Sequence, residues 1–214
     1  MKDSDHNLRG RIIDASSRLF RKHGIRYVTM DEIAKELGIS KKTVYAHFES
    51  KEILLRESII ARISEQRKKH TLILKNAENV IDGLVQLMFE ILRELEQINP
   101  QFLDEIQRYY PGIAQQIRKE RTQKNMDELL GLLKDGKKEE LFRSDLDIQI
   151  LAKLFMSQMN NISDPEVFPI TDYPRPKLFE HAFLMFLRGI STPKGQVFLD
   201  QMIQKHKITL RSTL

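Results

Sequence analysis

The stretch Thr29-Met30-Asp31-Glu32-Ile33-Ala34-Lys35-Glu36-Leu37-Gly38-Ile39-Ser40-Lys41-Lys42-Thr43-Val44-Tyr45-Ala46-His47-Phe48-Glu49-Ser50-Lys51-Glu52 decides how this chain folds. It reads as two short helices and the start of a third. Thr29 is placed to cap the first helix, and Glu32, three residues on, completes a capping box. Met30, Ile33, Ala34 and Leu37 recur at helical spacing and make one face apolar. Gly38 stops the helix, because glycine takes the left-handed conformation cheaply. Ile39 is placed to fold back on that cap, and Ser40 caps the next helix at once.

In that second helix Val44 and Phe48 form the inner face. Lys42, Tyr45 and Ala46 lie on the other side, and Lys41 stands at the N-terminal end. Two short helices joined by a three-residue turn, the second with a basic and aromatic outer face, make a helix-turn-helix. Such a second helix enters the DNA major groove by its N-terminal residues. Small Ala34 lets the two helices cross closely. Ser50 caps a third helix, where Lys51 can meet a phosphate.

Outward from this stretch the pattern stays helical. Residues 8–23 form a first helix, with Leu8, Ile12, Ala15, Ser16, Leu19 and Phe20 on one face and Gly24 at its end. Arg9 and Arg11 beside it either touch phosphates or solvate the helix surface. From Ser50 a helix runs to about His70, with Ile53, Ile60 and Ile63 inward and the run Arg67-Lys68-Lys69-His70 read as solvated. Residues 78–97 carry Ile81, Leu84, Val85, Met88, Ile91, Leu92 and Leu95 at helical spacing. Asn99-Pro100 opens a short helix, Pro111 a long one ended by Gly136, and Asp145 caps another to about Asn160. Residues 161–176 hold four of the seven prolines, which predicts a long irregular loop. A helix over 175–189 follows, apolar nearly all round. Thr192 caps a last one, with Pro193 at its first position and Val197, Phe198, Met202 and Ile203 buried.

With 41% hydrophobic residues in a chain of 214, the sequence can bury a core and supports one small and one moderate domain. The net charge of +5 favours polyanions only weakly. The absence of cysteine excludes disulfides and thiolate metal sites. No apolar run is long enough to span a bilayer and the N-terminal residues show no secretory signal, so a cytoplasmic protein is expected. The six histidines show no zinc-binding spacing, and no phosphate loop or nucleophile elbow is present. No enzyme activity, catalytic residue, metal or cofactor is therefore expected. His181, on an apolar helix, reads as a satisfied core or interface histidine.

Residues 8–55 resemble the DNA-binding signature of the TetR family of bacterial transcriptional regulators. The likeness rests on Thr29, Ile33-Ala34, Leu37-Gly38-Ile39-Ser40, Thr43-Val44-Tyr45, His47-Phe48 and Ser50-Lys51-Glu52, together with the preceding helix. Lys42 stands where the family often has glycine or alanine, and Ala46 where it often has a large or polar residue. Both departures fall on base-reading positions. Beyond residue 55 the likeness is weaker, although Arg143-Ser144-Asp145-Leu146-Asp147 and Thr192-Pro193-Lys194-Gly195 look like family features.

The resemblance implies an all-α chain of about nine to ten helices. Residues 1–52 would be a three-helix DNA-binding domain and 53–214 a helical domain that dimerises and binds an effector. Lys42, Tyr45 and Thr43 are expected at base edges, and Thr29, Lys41, His47 and Lys51 at phosphates. His47 has packing against the third helix as its alternative. The helices carrying Met88, Phe89, Phe102, Tyr109, Tyr110, Met126, Phe155, Met156 and Met159 would surround a cavity for a small apolar or amphipathic effector, with Gln158 available for hydrogen bonding. These residues could equally fill a core. Phe183 and Phe186 are expected at a homodimer interface. The implied function is a repressor released from a pseudo-palindromic operator, with no membrane partner. The alternative is a ligand-independent, DNA-bound protein whose C-terminal domain binds another protein. A filled core and a large exposed apolar patch would favour that alternative.

Overall fold

A computed structural model describes residues 2–162 and 164–211, without the side chains of residues 2–6, 118, 120–123 and 207–211. Among the described residues there are ten helices: α1 Lys2–His23, α2 Met30–Leu37, α3 Lys41–His47, α4 Lys51–Asn76, α5 Val80–Glu96, α6 Pro100–Tyr109, α7 Pro111–Lys138, α8 Ile148–Ile162, α9 Arg175–Ile190 and α10 Pro193–Arg211. The protein is all-α, as the periodicity predicts. The chain forms two compact units, Met1–Lys68 with Gln97–Ile117 and Lys69–Glu96 with Arg118–Leu214. Compactness therefore divides the chain elsewhere than at residues 52 and 53. Helix α4 runs unbroken through that position, and α6 belongs to the first unit.

The first unit is built on Ile12, Ala15, Phe20, Ile25, Val28, Ile33, Val44, Phe48, Leu54 and Leu55, all buried, with Phe102 of α6 and Ile113 of α7 in the same cluster. The buried positions of α4 are Leu54, Leu55 and Ser58, so its inner face is not the one expected. Ile60 is exposed and Ile63 only partly buried. The Ser58 hydroxyl satisfies itself inside the helix, donating to the Leu54 carbonyl at 2.7 Å.

The second unit has α5 against α9 and α10, and α8 against α9. Three expected features are corrected. Gly136 does not end α7, which runs on to Lys138. A Cβ at Gly136 would lie 2.0 Å from the Phe142 ring, so the glycine makes room for that buried phenylalanine, and the left-handed residue of the turn is Glu140 at φ 59°. The cap of α8 is Asp147, whose Oδ1 accepts from the amides of Gln149 (2.8 Å) and Ile150 (3.2 Å). Asp145 pairs instead with Arg143 at 2.7 Å. In α10 Val197 is exposed and Leu199 takes the core position. Thr192 caps α10 as expected, accepting from the Gly195 amide at 3.1 Å.

Candidate nucleic-acid interface

Helix α2 begins where the sequence marks it. Thr29 Oγ1 accepts from the Glu32 amide at 3.2 Å, and the Glu32 carboxylate accepts from the Thr29 amide at 2.6 Å. Gly38 closes the helix at φ 65°, with the Ile39 amide reaching back to the Ala34 carbonyl at 3.0 Å. Ser40 then starts α3, its Oγ accepting from the Thr43 amide at 3.0 Å. Val44 and Phe48 anchor α3 from within, and Ile33 and Ala34 receive it. This inner anchoring fixes which side of α3 looks outward.

That outward side carries Lys41, Lys42, Tyr45 and Ala46, all exposed. Thr43 is half-buried, and its hydroxyl lies 2.8 Å from that of Ser40. Lys41 is tied to Asp31 by a 2.8 Å ion pair, which holds its ammonium charged. A phosphate must compete with Asp31 for it. Lys51 is half-buried at the start of α4. Burial lowers its pKa, partly offset by Glu105 and Glu32. His47 is half-buried between these groups in sequence. Arg9, read as a possible phosphate contact, pairs with Glu57, and its guanidinium lies 4.8 Å from the centre of the Phe48 ring.

The nine effector candidates are divided between the two units. Met88, Phe89, Phe155 and Met156 are buried in the core of the second unit, with Met126 and Met159 packed against it. Phe102 and Tyr110 belong to the core of the first unit. Tyr109 is exposed there, its hydroxyl accepting from Arg26 at 3.4 Å. The described cavity is an open groove of about 680 Å³ on α8 and α9, lined by Leu154, Phe155, Gln158, Phe168, Met185 and Phe186 among others.

Phe183 is turned into the core, 5% exposed, and packs on Phe155 and Phe179. The exposed large apolar residues that line the open groove are Leu154, Val167 and Met185, none of which is a predicted site residue. For Leu154 and Met185 the signal lies in α8 and α9 being apolar on more than one side. His181 is exposed, its Nδ1 2.8 Å from the Lys177 carbonyl, and so is not a core histidine. Lys69 and His70, read as solvated, stand against Glu90 and Glu94 of α5, whose side chains are 8% and 9% exposed.

Two residues that fix the first unit carry no signal in the local sequence pattern. Asn99 and Glu105 bind the end of α1 across some eighty positions of sequence, a separation no local pattern can signal. No group of side chains able to hold a metal occurs among the described residues. No helix among them is long and apolar enough to cross a membrane.

The fold of the first unit and the outer face of α3 define a helix-turn-helix DNA-binding protein. Residues 12–58 match the family model of the bacterial regulatory proteins, tetR family. The HTH-type transcriptional regulator YvaF of Bacillus subtilis is 26% identical over 157 residues, 73% of this chain and 81% of that protein. The HTH-type transcriptional repressor KstR2 of Rhodococcus jostii is 24% identical over 145 residues, 66% of this chain and 71% of that one. A transcriptional regulator of Cytophaga hutchinsonii, known by crystal structure, superposes with a TM-score of 0.67 at 21% identity, covering 85% of this chain and 97% of its own. Residues 12–58 thus carry the DNA-binding region of the tetR family, and the chain as a whole is similar to transcriptional regulators of that kind.

Proposed function

We propose that the chain is a homodimeric repressor. Each α3 reads one half of a pseudo-palindromic operator, and a small amphipathic effector bound in the second unit releases the DNA. The observation that carries this reading is the geometry of α2, Gly38 and α3, which leaves Lys42, Tyr45 and Ala46 free to meet base edges. Lys42 suits a guanine edge, and Ala46 suits a thymine methyl. Thr29, Lys41, His47 and Lys51 are assigned to phosphates, which set register and salt dependence.

The apolar groove and the exposed Leu154 and Met185 support α8 and α9 as the dimer face. Two-fold symmetry then gives two recognition helices and two half-sites. Polar atoms inside the second unit support an effector with a polar end. Among the described residues, Glu94 Oε1, His206 Nε2 and both terminal nitrogens of Arg175 are buried without a hydrogen-bond partner. Such atoms are costly unless something satisfies them. Phe89, stacked on His206, suits the apolar part of such a ligand. That KstR2 is a repressor supports the sign of the regulation. A hundredfold release of operator requires about 2.7 kcal/mol of coupling, an ordinary allosteric energy.

The test is selection of DNA from a random-sequence duplex pool by the purified full-length chain. The expected product is an inverted repeat. Recovery of no preferred sequence would overturn the reading of α3.

A further inference from the structure

Helix α1 ends at His23 with carbonyls that its own backbone cannot satisfy. They are capped from a distant part of the sequence. The Asn99 amide donates to the Arg21 carbonyl at 2.9 Å, and Asn99 Nδ2 donates to the Lys22 carbonyl at 3.1 Å. Asn99 is also the cap of α6, its Oδ1 accepting from the Gln101 amide at 2.9 Å.

One and a half turns along α6, the Glu105 carboxylate accepts from the amides of Ile25 and Arg26, the latter at 3.1 Å. Tyr109, one further turn on, lies under the Arg26 guanidinium at 5.2 Å from the ring centre. Gly24 fits this clasp in two ways. Its φ is +84°, and a Cβ there would stand 3.1 Å from Glu105 Oε2. Glu105 is 7% exposed, so a carboxylate has been taken from water to hold two amides of a turn. Isolated burial of that charge is expensive, whereas charged acceptors on amides make the stronger class of hydrogen bond. The turn it holds, residues 24–28, leads directly to the Thr29 cap of α2.

We propose that Glu105 is a positioning residue for operator binding, holding the α1–α2 turn so that α2 and α3 are pre-set for the major groove. Glu105 touches no DNA and acts through Ile25 and Arg26. Without its carboxylate two amides lose their acceptor, the turn samples other conformations, and operator binding has to order it again. Non-specific binding rests on phosphate charge and needs no such order.

The inference rests on the DNA-reading assignment of α3, and the experiment separates the two. Full-length wild type, Glu105→Gln and Glu105→Ala are titrated against a duplex selected by the wild type and against a scrambled duplex. Binding is measured well below each thermal transition and referred to folded protein. In parallel, hydrogen exchange is followed at the amides of Ile25 and Arg26, with Ile33 and Val44 as references.

The expected result for Glu105→Ala is a loss of about ten- to hundredfold on the selected duplex, the equivalent of one charged hydrogen bond. Affinity for the scrambled duplex should be unchanged, and exchange should rise at Ile25 and Arg26 alone. Glu105→Gln, which keeps one acceptor oxygen and the side-chain volume, should fall between and carries the test if the alanine variant does not fold. Wild-type affinity in either folded variant for the selected duplex, or equal loss on both duplexes, would overturn the proposal. Failure of the wild type to select any sequence would instead overturn the α3 assignment.

Discussion

At the scale of single residues, the proposed interface divides into side chains already engaged within the protein and side chains that project outward. Lys41 is held by Asp31 and Thr43 by Ser40, whereas Lys42 and Tyr45 project outward, Tyr45 at 44% exposure. Replacing Lys42 by alanine should relax preference at one base position and cost about 1–3 kcal/mol on the best sequence, measured by competition among single-base variants. Tyr45→Ala should likewise weaken selected DNA; unchanged affinity would show that α3 is not the reading helix. In the second unit, His206 stacks on Phe89 with ring centres 5.2 Å apart. Burial pushes its imidazole below the ordinary value of 6.5; Asp82 opposes this, and Lys205 and Arg93 add to it. The unfolded chain then binds more protons between the two values, so this contribution to stability is complete above the unfolded value. It falls as pH drops through that value toward the folded one. Denaturation midpoints between pH 7.5 and 5 should fall less steeply for His206→Phe than for the wild type, each taken relative to its own value at high pH, on the order of the shift range described for histidines.

At the scale of elements, what could be read in the sequence was what local chemistry decides. The Thr29–Glu32 box, the Gly38 stop and the Ser40 and Thr192 caps act within a few residues, and each is found where the pattern puts it. Gly136 was misread because its reason lies outside its helix. The ring of Phe142 occupies the space where a side chain would be, and only packing reveals that. Gly136→Ala should therefore destabilise the chain by about 1–3 kcal/mol through overpacking, despite alanine's better helix propensity. A chemical denaturation midpoint equal to or above the wild type would refute the close approach. Asp145 and Asp147 show the same limit, since two acids two residues apart both suit a cap and the Arg143 pairing decides between them. The Asn99 and Glu105 contacts were illegible for a stronger reason: their partners lie far away in sequence, and a carboxylate on an amphipathic helix looks solvated until its neighbour is known.

At the scale of the whole molecule, the sequence gives the helical class and the reading head but not the site of regulation. The effector candidates were picked as aromatic and methionine residues on several helices, and such residues equally fill cores. Phe102 and Tyr110 do so in the first unit, Met88 and Phe89 in the second. Of the two residues expected at a dimer face, Phe183 lies in the core and Phe186 lines the open groove, because an all-apolar helix does not reveal which side is inward. Leu154 and Met185, 63% and 64% exposed, give a cleaner test. The double substitution Leu154→Glu and Met185→Glu should yield a monomer with unchanged helix content, since exposed positions cost the protomer within about 0.5 kcal/mol. A wild type that sediments as a monomer at micromolar concentration would contradict the dimer outright.

The central claim is that two copies of α3 read two halves of one site. The most direct measurement is the affinity of the full-length chain for its selected duplex, compared with the same duplex carrying one scrambled half, at one fixed salt concentration. Loss of a half-site should remove most of the specific energy and weaken binding by about a hundredfold or more, toward the non-specific level. Equal affinity for the two duplexes would contradict the account.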